Sequence, residues 1–356
     1  MARVTLDDLS ITLDRQPVLR GVNAEVADGS FIAVVGPSGT GKTTLLRAIA
    51  GLVAPAGGSI RFDGVDMADV ETARRDIGMV FQDPTLLPSR SVRRNVEFPL
   101  ELRRETAVAI RDRVAAEARA MQIEHLLERH PSELSRGEEQ LAQIARTMVR
   151  MPRLLLLDEP FASLDEHRRH RMRDEIATLQ DGYGVTTVMA TNDPVDVARL
   201  ASVVIVLGGS PASVVQSGTF ASIHHEPVDV VTATATGPLW TVDAEVVPDE
   251  RGVFLIAPGC LRLRSWSPEL RARAGGRVTV GVRTEGLVQA EHGAATANLM
   301  RIVPGAAGSL LCRWGKRMVT ATGTATADDI GTDLTLSVEH PLVFDADTGR
   351  RIALHT

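Results

Sequence analysis

The apolar positions of this chain fall into two textures. Up to about residue 230, short uninterrupted apolar runs recur: Phe31–Val35, Leu154–Leu157, Thr186–Ala190 and Val203–Leu207. Runs this short, without polar alternation, predict strands buried on both faces of a largely parallel sheet. Between them the spacing becomes helical. Arg104–Met121 is rich in Ala, Glu and Arg around apolar Val108, Ile110 and Val114, and Gln140–Val149 carries Leu141, Ile144, Ala145 and Met148 at helical spacing. Strand and helix patterns in alternation predict an α/β domain. Beyond that point the period drops to two. Val231–Gly237, Arg277–Arg283, Met318–Gly323 and Asp333–Val338 alternate, punctuated by Gly, Pro and Asp. This predicts a small all-β, barrel-like domain, and the chain reads as an α/β domain over 1–232 followed by a β-rich domain over 236–356. No heptad pattern and no duplicated unit accompanies them.

Composition narrows the picture. The 356 residues hold 39 Lys+Arg against 45 Asp+Glu, a net charge of −6, which argues against nucleic acid as a partner. Cys260 and Cys312 are too few for a disulfide framework, so the chain reads as cytosolic. Met1–Ser10 lacks a leader pattern, and no apolar run approaches the ~18–20 residues of a membrane span. Any work at a membrane is then done from the side. Only Lys42 and Lys316 are lysine in a chain that otherwise uses arginine, so a lysine at a particular place is informative. His167 and His170 sit among Arg168, Arg169 and Arg171, and His224-His225 lies in a polar stretch, so neither pair reads as a metal site.

One of those lysines completes a motif. Gly36-Pro37-Ser38-Gly39-Thr40-Gly41-Lys42-Thr43-Thr44 fits the phosphate-binding pattern G-x-x-x-x-G-K-[ST], after a strand-like run and before the helical Leu45–Ala50. Glycines let backbone N–H groups turn in around phosphate, and the helix N-terminus adds partial positive charge. Lys42 supplies charge to the β- and γ-phosphates, and the Thr43 hydroxyl suits Mg²⁺. Leu154–Leu157 then delivers Asp158 toward the metal, and Glu159 is placed to polarise an attacking water.

Leu134-Ser135-Arg136-Gly137-Glu138 resembles the signature loop of the ATP-binding-cassette (ABC) family, usually Leu-Ser-Gly-Gly-Gln. Phe81-Gln82 resembles its Q-loop and Ser163-Leu164-Asp165 its D-loop, and the motifs stand in the family's order. The resemblance implies a P-loop NTPase cassette with a helical subdomain at about 86–150, and ATP with Mg²⁺ as its ligands. It implies a head-to-tail pair of ATP-binding subunits, each site joining one phosphate loop with Asp158 and Glu159 to Ser135, Arg136, Gly137 and Glu138 of the other. Gln82 would sense Mg²⁺ and water, Asp165 would lie at the site's edge, and Leu86–Pro88 with Arg90–Leu100 would help grip membrane permease subunits. Gly281-Val-Arg-Thr-Glu285 and Val343–Gly349 are similar to segments of the maltose and polyol importer ATPases, which carry a C-terminal regulatory β-domain of the oligosaccharide/oligonucleotide-binding kind. The implied role is ATP hydrolysis on the cytoplasmic face of the membrane, energising uptake of a carbohydrate. A solute-binding protein would then be an indirect partner, and nucleic acid none.

Three positions depart from that pattern. Asn192 stands where the family has its switch histidine; it donates through an amide but is shorter and never charged. Loss of one transition-state donor is worth about 10²–10³ in kcat. Leu13 stands where an aromatic normally stacks on adenine, and Arg136 replaces a glycine, where it either crowds the loop or adds charge toward phosphate. These departures keep open the alternative of a slow, regulatory nucleotide-binding subunit. A soluble ABC ATPase acting on nucleic acid or ribosomes is a further reading, against which the single phosphate loop and the absence of heptads argue.

Overall fold

The computed structural model describes residues 2–83, 85–162, 164–303, 308–314 and 317–354. The chain divides into two compact units, Met1–Ile223 and His224–Thr356. In the first, a ten-stranded sheet carries a parallel half in the spatial order Ile77–Val80, Leu154–Asp158, Thr186–Ala190, Phe31–Val35, Val203–Gly209. Leu157 lies opposite Met189, and Val34 lies opposite both Ala190 and Ile205. Phe31–Val35, Leu154–Asp158 and Thr186–Ala190 are buried at every position, which is why their sequences run on without alternation. Successive residues nevertheless serve opposite faces. Leu154 and Leu156 share a core with Leu45, Leu46 and Ile49 of the helix Lys42–Ala50, whereas Leu155 and Leu157 share another with Ile144, Met148 and Ile176.

That second core extends into the helical segment through Val92, Val96, Val114 and Met121. The helix expected over Arg104–Met121 runs instead over Ala107–Ala120, capped by Thr106, whose hydroxyl accepts from the Ala109 N–H at 3.3 Å. Arg104 adopts a left-handed φ of 56°, which no right-handed helix accommodates. Glu117 of this helix is buried, and the Tyr183 hydroxyl donates to it at 3.0 Å. Burial pushes its carboxyl up to about 7, against the opposing pull of Tyr183 and Arg113. The native state therefore holds this proton more tightly than the unfolded chain does. The contribution is complete below the unfolded carboxylate value of about 4.5 and is lost as pH rises through about 7. Glu117→Gln should stabilise the chain by about 1–2 kcal/mol near pH 8 and by much less near pH 5, as chemical denaturation at both pH values reads directly.

The second unit is an eleven-stranded sheet whose end curls shut. Ser309–Trp314 pairs with Arg317–Thr322, and the sheet continues through Leu287–Gln289, Asp333–Val338 and Ala295–Ile302, which pairs back onto Ser309–Trp314. The result is a closed five-stranded barrel, the geometry that removes free sheet edges. Leu287, Leu299, Cys312, Val319 and Leu336 fill its core, and both cysteines are free and buried. One expected strand is wrong. Val231–Gly237 alternates Thr and Ala, yet Val230–Ala235 is helical, because the Asp229 carboxylate accepts from the Thr232 N–H at 2.7 Å and caps it. Ala233 of this helix packs on Leu342 and Phe344, so the junction read at 232–236 lies inside the second unit.

Candidate nucleotide site

The carboxyl ends of three adjacent parallel strands converge on one cleft, the place where open α/β sheets bind ligands. After Phe31–Val35 the chain turns at Gly36 with φ 150° and at Gly41 with φ 84°. A Cβ at Gly36 would lie 2.3 Å from the Leu207 carbonyl oxygen, and one at Gly41 2.7 Å from Val18 Cγ1. Both positions therefore require glycine. The Thr40 hydroxyl donates to the Pro37 carbonyl at 2.8 Å and tightens the turn. Lys42 opens the helix Lys42–Ala50, is 7% exposed, and donates from Nζ to the carbonyls of Gly36 at 2.8 Å and Pro37 at 3.3 Å. Burial lowers its pKa, while the charges of Glu159 and Asp158 oppose that shift.

Leu154–Asp158 ends with a buried carboxylate that accepts from the Thr43 hydroxyl at 2.9 Å. Burial raises the Asp158 pKa against that hydrogen bond and the nearby Arg47 and Lys42. Glu159 follows with a left-handed φ of 47°, and its N–H donates to the Ala190 carbonyl at 2.9 Å. This contact sets Glu159 beside the loop leaving Thr186–Ala190, so that Asn192 Nδ2 donates to Glu159 Oε1 at 2.8 Å. Burial raises the Glu159 pKa; Lys42 and Asn192 pull it back. A carboxylate held through one oxygen keeps its remaining lone pairs for a water proton, the arrangement a general base needs.

The cleft has a volume of about 830 Å³, and Ser38, Gly39, Gly41, Lys42, Thr43, Thr44, Gln82, Glu159 and Asn192 all line it. Gly36, Pro37 and Thr40 shape the loop behind this surface. Among the described residues, no group of three or more His, Cys, Asp or Glu is arranged to hold a metal unaided. The paired oxygens of Thr43 and Asp158 instead suit Mg²⁺, which binds through one or two carboxylates and completes its shell with water and phosphate.

Other predicted residues lie elsewhere. Leu13 ends the strand Val4–Leu13, is 37% exposed and does not line the cleft; Val18, from the following strand, does. Asp165 caps the helix Glu166–Tyr183 by accepting from the Arg168 N–H at 3.0 Å, away from the cleft wall. Ser163 lies outside the described residues. Ser135, Gly137 and Glu138 line a separate pocket of about 320 Å³ together with Arg168 and Arg171. Ser135 and Glu138 form a reciprocal capping box at the start of Arg136–Met148, with Glu138 Oε2 accepting from the Ser135 N–H at 2.7 Å. Glu138 thus has its own work as a cap, and these bonds to Ser135 lower its pKa. Arg136 does not line this chain's own cleft; its guanidinium donates to Asp83 at 2.9 Å, next to Gln82. Arg146 of the same helix donates to the Thr85 carbonyl at 2.8 Å and Gln143 to the Thr85 hydroxyl at 3.4 Å, so three side chains tie the Q-loop region to the signature helix. Arg169, Asp193 and Phe161 also line the cleft and were not singled out by sequence; in a chain so rich in arginine nothing marks Arg169 as special.

These features define a P-loop nucleotide hydrolase. Residues 19–162 match the family model described as ABC transporter. The sn-glycerol-3-phosphate import ATP-binding protein UgpC of Ruegeria sp. (strain TM1040) is 36% identical, covering 99% of this chain and 100% of that one. The maltose/maltodextrin import ATP-binding protein MalK of Photobacterium profundum is 37% identical over 82% of this chain and 80% of its own length. Among solved structures, the ATP-binding cassette MJ0796, a dimer in a post-hydrolysis state bound to ADP and Pi, superposes with a TM-score of 0.55 at 27% identity, covering 61% of this chain and 98% of that one. The chain belongs to the ABC transporter family and is one of its ATP-binding, ATP-hydrolysing subunits.

Proposed function

We infer that this subunit energises an importer of a polyhydroxylated solute, a sugar or a glycerol phosphate, from the cytoplasmic face of the membrane. Two ATP-binding subunits, two copies of this chain or one copy with a related chain, close around ATP and drive separate permease subunits. The observation that carries this reading is that the phosphate loop lines one pocket and the serine loop another, which supports a clamp completed by a second subunit. A serine-glycine loop at a helix N-terminus suits the γ-phosphate of a facing subunit's nucleotide. Within its own cleft, Lys42 would hold the β- and γ-phosphates, and Thr43, Asp158 and Gln82 would hold Mg²⁺, which would supply charge neutralisation. Glu159 takes the proton of the attacking water, and Asn192 fixes Glu159. The cargo class rests on relatives whose names specify glycerol phosphate and maltose import, one of which matches over the β-barrel unit as well. No helix among the described residues is long and apolar enough to cross a membrane, so the pathway belongs to partners in this reading.

Reconstitution in proteoliposomes with its permease subunits tests the proposal. ATP-dependent accumulation of labelled maltose or glycerol 3-phosphate is the expected result. ATP turnover with uptake of neither would overturn the cargo assignment. The 2.8 Å bond from Asn192 to Glu159 favours a competent site over a regulatory one. Asn192→His should therefore change kcat by less than about tenfold; a larger rise would identify the amide as the limiting donor.

A further inference from the structure

Asn192 is exposed, yet it meets Glu159 at hydrogen-bond distance, so something must hold its loop. We propose that Arg173 is a positioning residue of the hydrolytic centre, a buried cation that holds the Thr191–Asp193 loop so that Asn192 is aimed at Glu159. The inference rests on the roles given above to Glu159 and Asn192.

Arg173 lies in the helix Glu166–Tyr183 and is only 1% exposed. Its Nε donates to Asp196 at 2.6 Å, its Nη2 to Asp193 at 3.2 Å and its Nη1 to Glu166 at 3.3 Å. Asp196 is itself 2% exposed, and its other carboxylate oxygen accepts from the Thr191 hydroxyl at 3.0 Å. That hydroxyl also accepts from the Asp193 N–H at 3.1 Å. Both chain neighbours of Asn192 are thereby tied to one guanidinium, Asp193 directly and Thr191 through Asp196. The planar fork matters here. Three carboxylates are met in fixed directions by one group, which a compact ammonium cannot reproduce. The buried part of this network is Arg173, Asp196 and Thr191; Asp193 is shared with Arg169, whose Nη1 donates to it at 2.7 Å, so Arg173 is the group that joins both ends of the loop while Arg169 holds one of them.

The test compares Arg173→Lys with wild type in the full chain, alone and on an Asn192→Ala background. Hydrogen exchange of the peptide spanning residues 191–196 should quicken about tenfold, while that of 154–158 stays unchanged. kcat should fall at least about tenfold with the KM for ATP held within about twofold. On the Asn192→Ala background the same substitution should cost less than about twofold, because the group it positions is gone. Should Arg173→Lys unfold the chain, Thr191→Val breaks the same relay and Thr191→Ser restores it, with the same readouts. An equal loss on both backgrounds, a change in KM alone, or unaltered exchange of 191–196 would overturn the proposal. Turnover surviving in Glu159→Gln would remove the role given to Glu159, a different failure that leaves the exchange result intact.

Discussion

Glu159→Gln should leave ATP bound and nearly abolish its hydrolysis. Glutamine keeps the volume and still offers an oxygen to Asn192, so the 2.8 Å contact and the surrounding cleft persist. What disappears is the carboxylate that accepts the water proton, since an amide nitrogen has no lone pair to give. A positioned base is worth about 10²–10⁴ in rate, and the loss should fall in kcat with little change in nucleotide affinity. Single-turnover hydrolysis beside equilibrium binding separates the two effects. Residual turnover within about threefold of wild type would mean that another group activates the water.

Lys42→Ala should fail earlier, at binding. Its ammonium is anchored at 2.8 and 3.3 Å on the carbonyls of Gly36 and Pro37, so one side chain both charges the cleft and braces the turn around it. Charge-assisted hydrogen bonds contribute about 1.5–3 kcal/mol each, so loss of the phosphate contact alone should raise the Kd for ATP about 10- to 100-fold. Arginine should not rescue, because the site is buried and its bulkier planar group does not fit where a compact ammonium fits. Titration with a fluorescent ATP analogue reads the result, and unchanged affinity would remove Lys42 from the site.

Much of this site was legible in the sequence because the chemistry is local. A buried strand needs a continuous apolar run, a phosphate turn needs glycines at fixed offsets, and both sit contiguously at Phe31–Lys42 and Leu154–Glu159. What escaped was set at a distance. Thr and Ala at 232–235 alternate like a strand, but the Asp229 cap and the packing of Ala233 override that weak propensity. The partner of Arg136 is Asp83, more than fifty positions away, which no local pattern marks. Arg173 is hidden among the chain's many arginines, and only burial beside Asp196 distinguishes it. Glu138 was readable in principle: Ser135 followed by Glu at the third position is a capping box, and its function is local to the helix end.

The decisive measurement is the mass in solution of Glu159→Gln saturated with ATP and Mg²⁺, followed by light scattering as nucleotide is added and removed. Two subunits joined around trapped ATP, parting when the nucleotide is withdrawn, are the predicted result. A variant that binds ATP fully but never pairs, alone or in its assembled complex, would contradict the shared clamp on which the account stands.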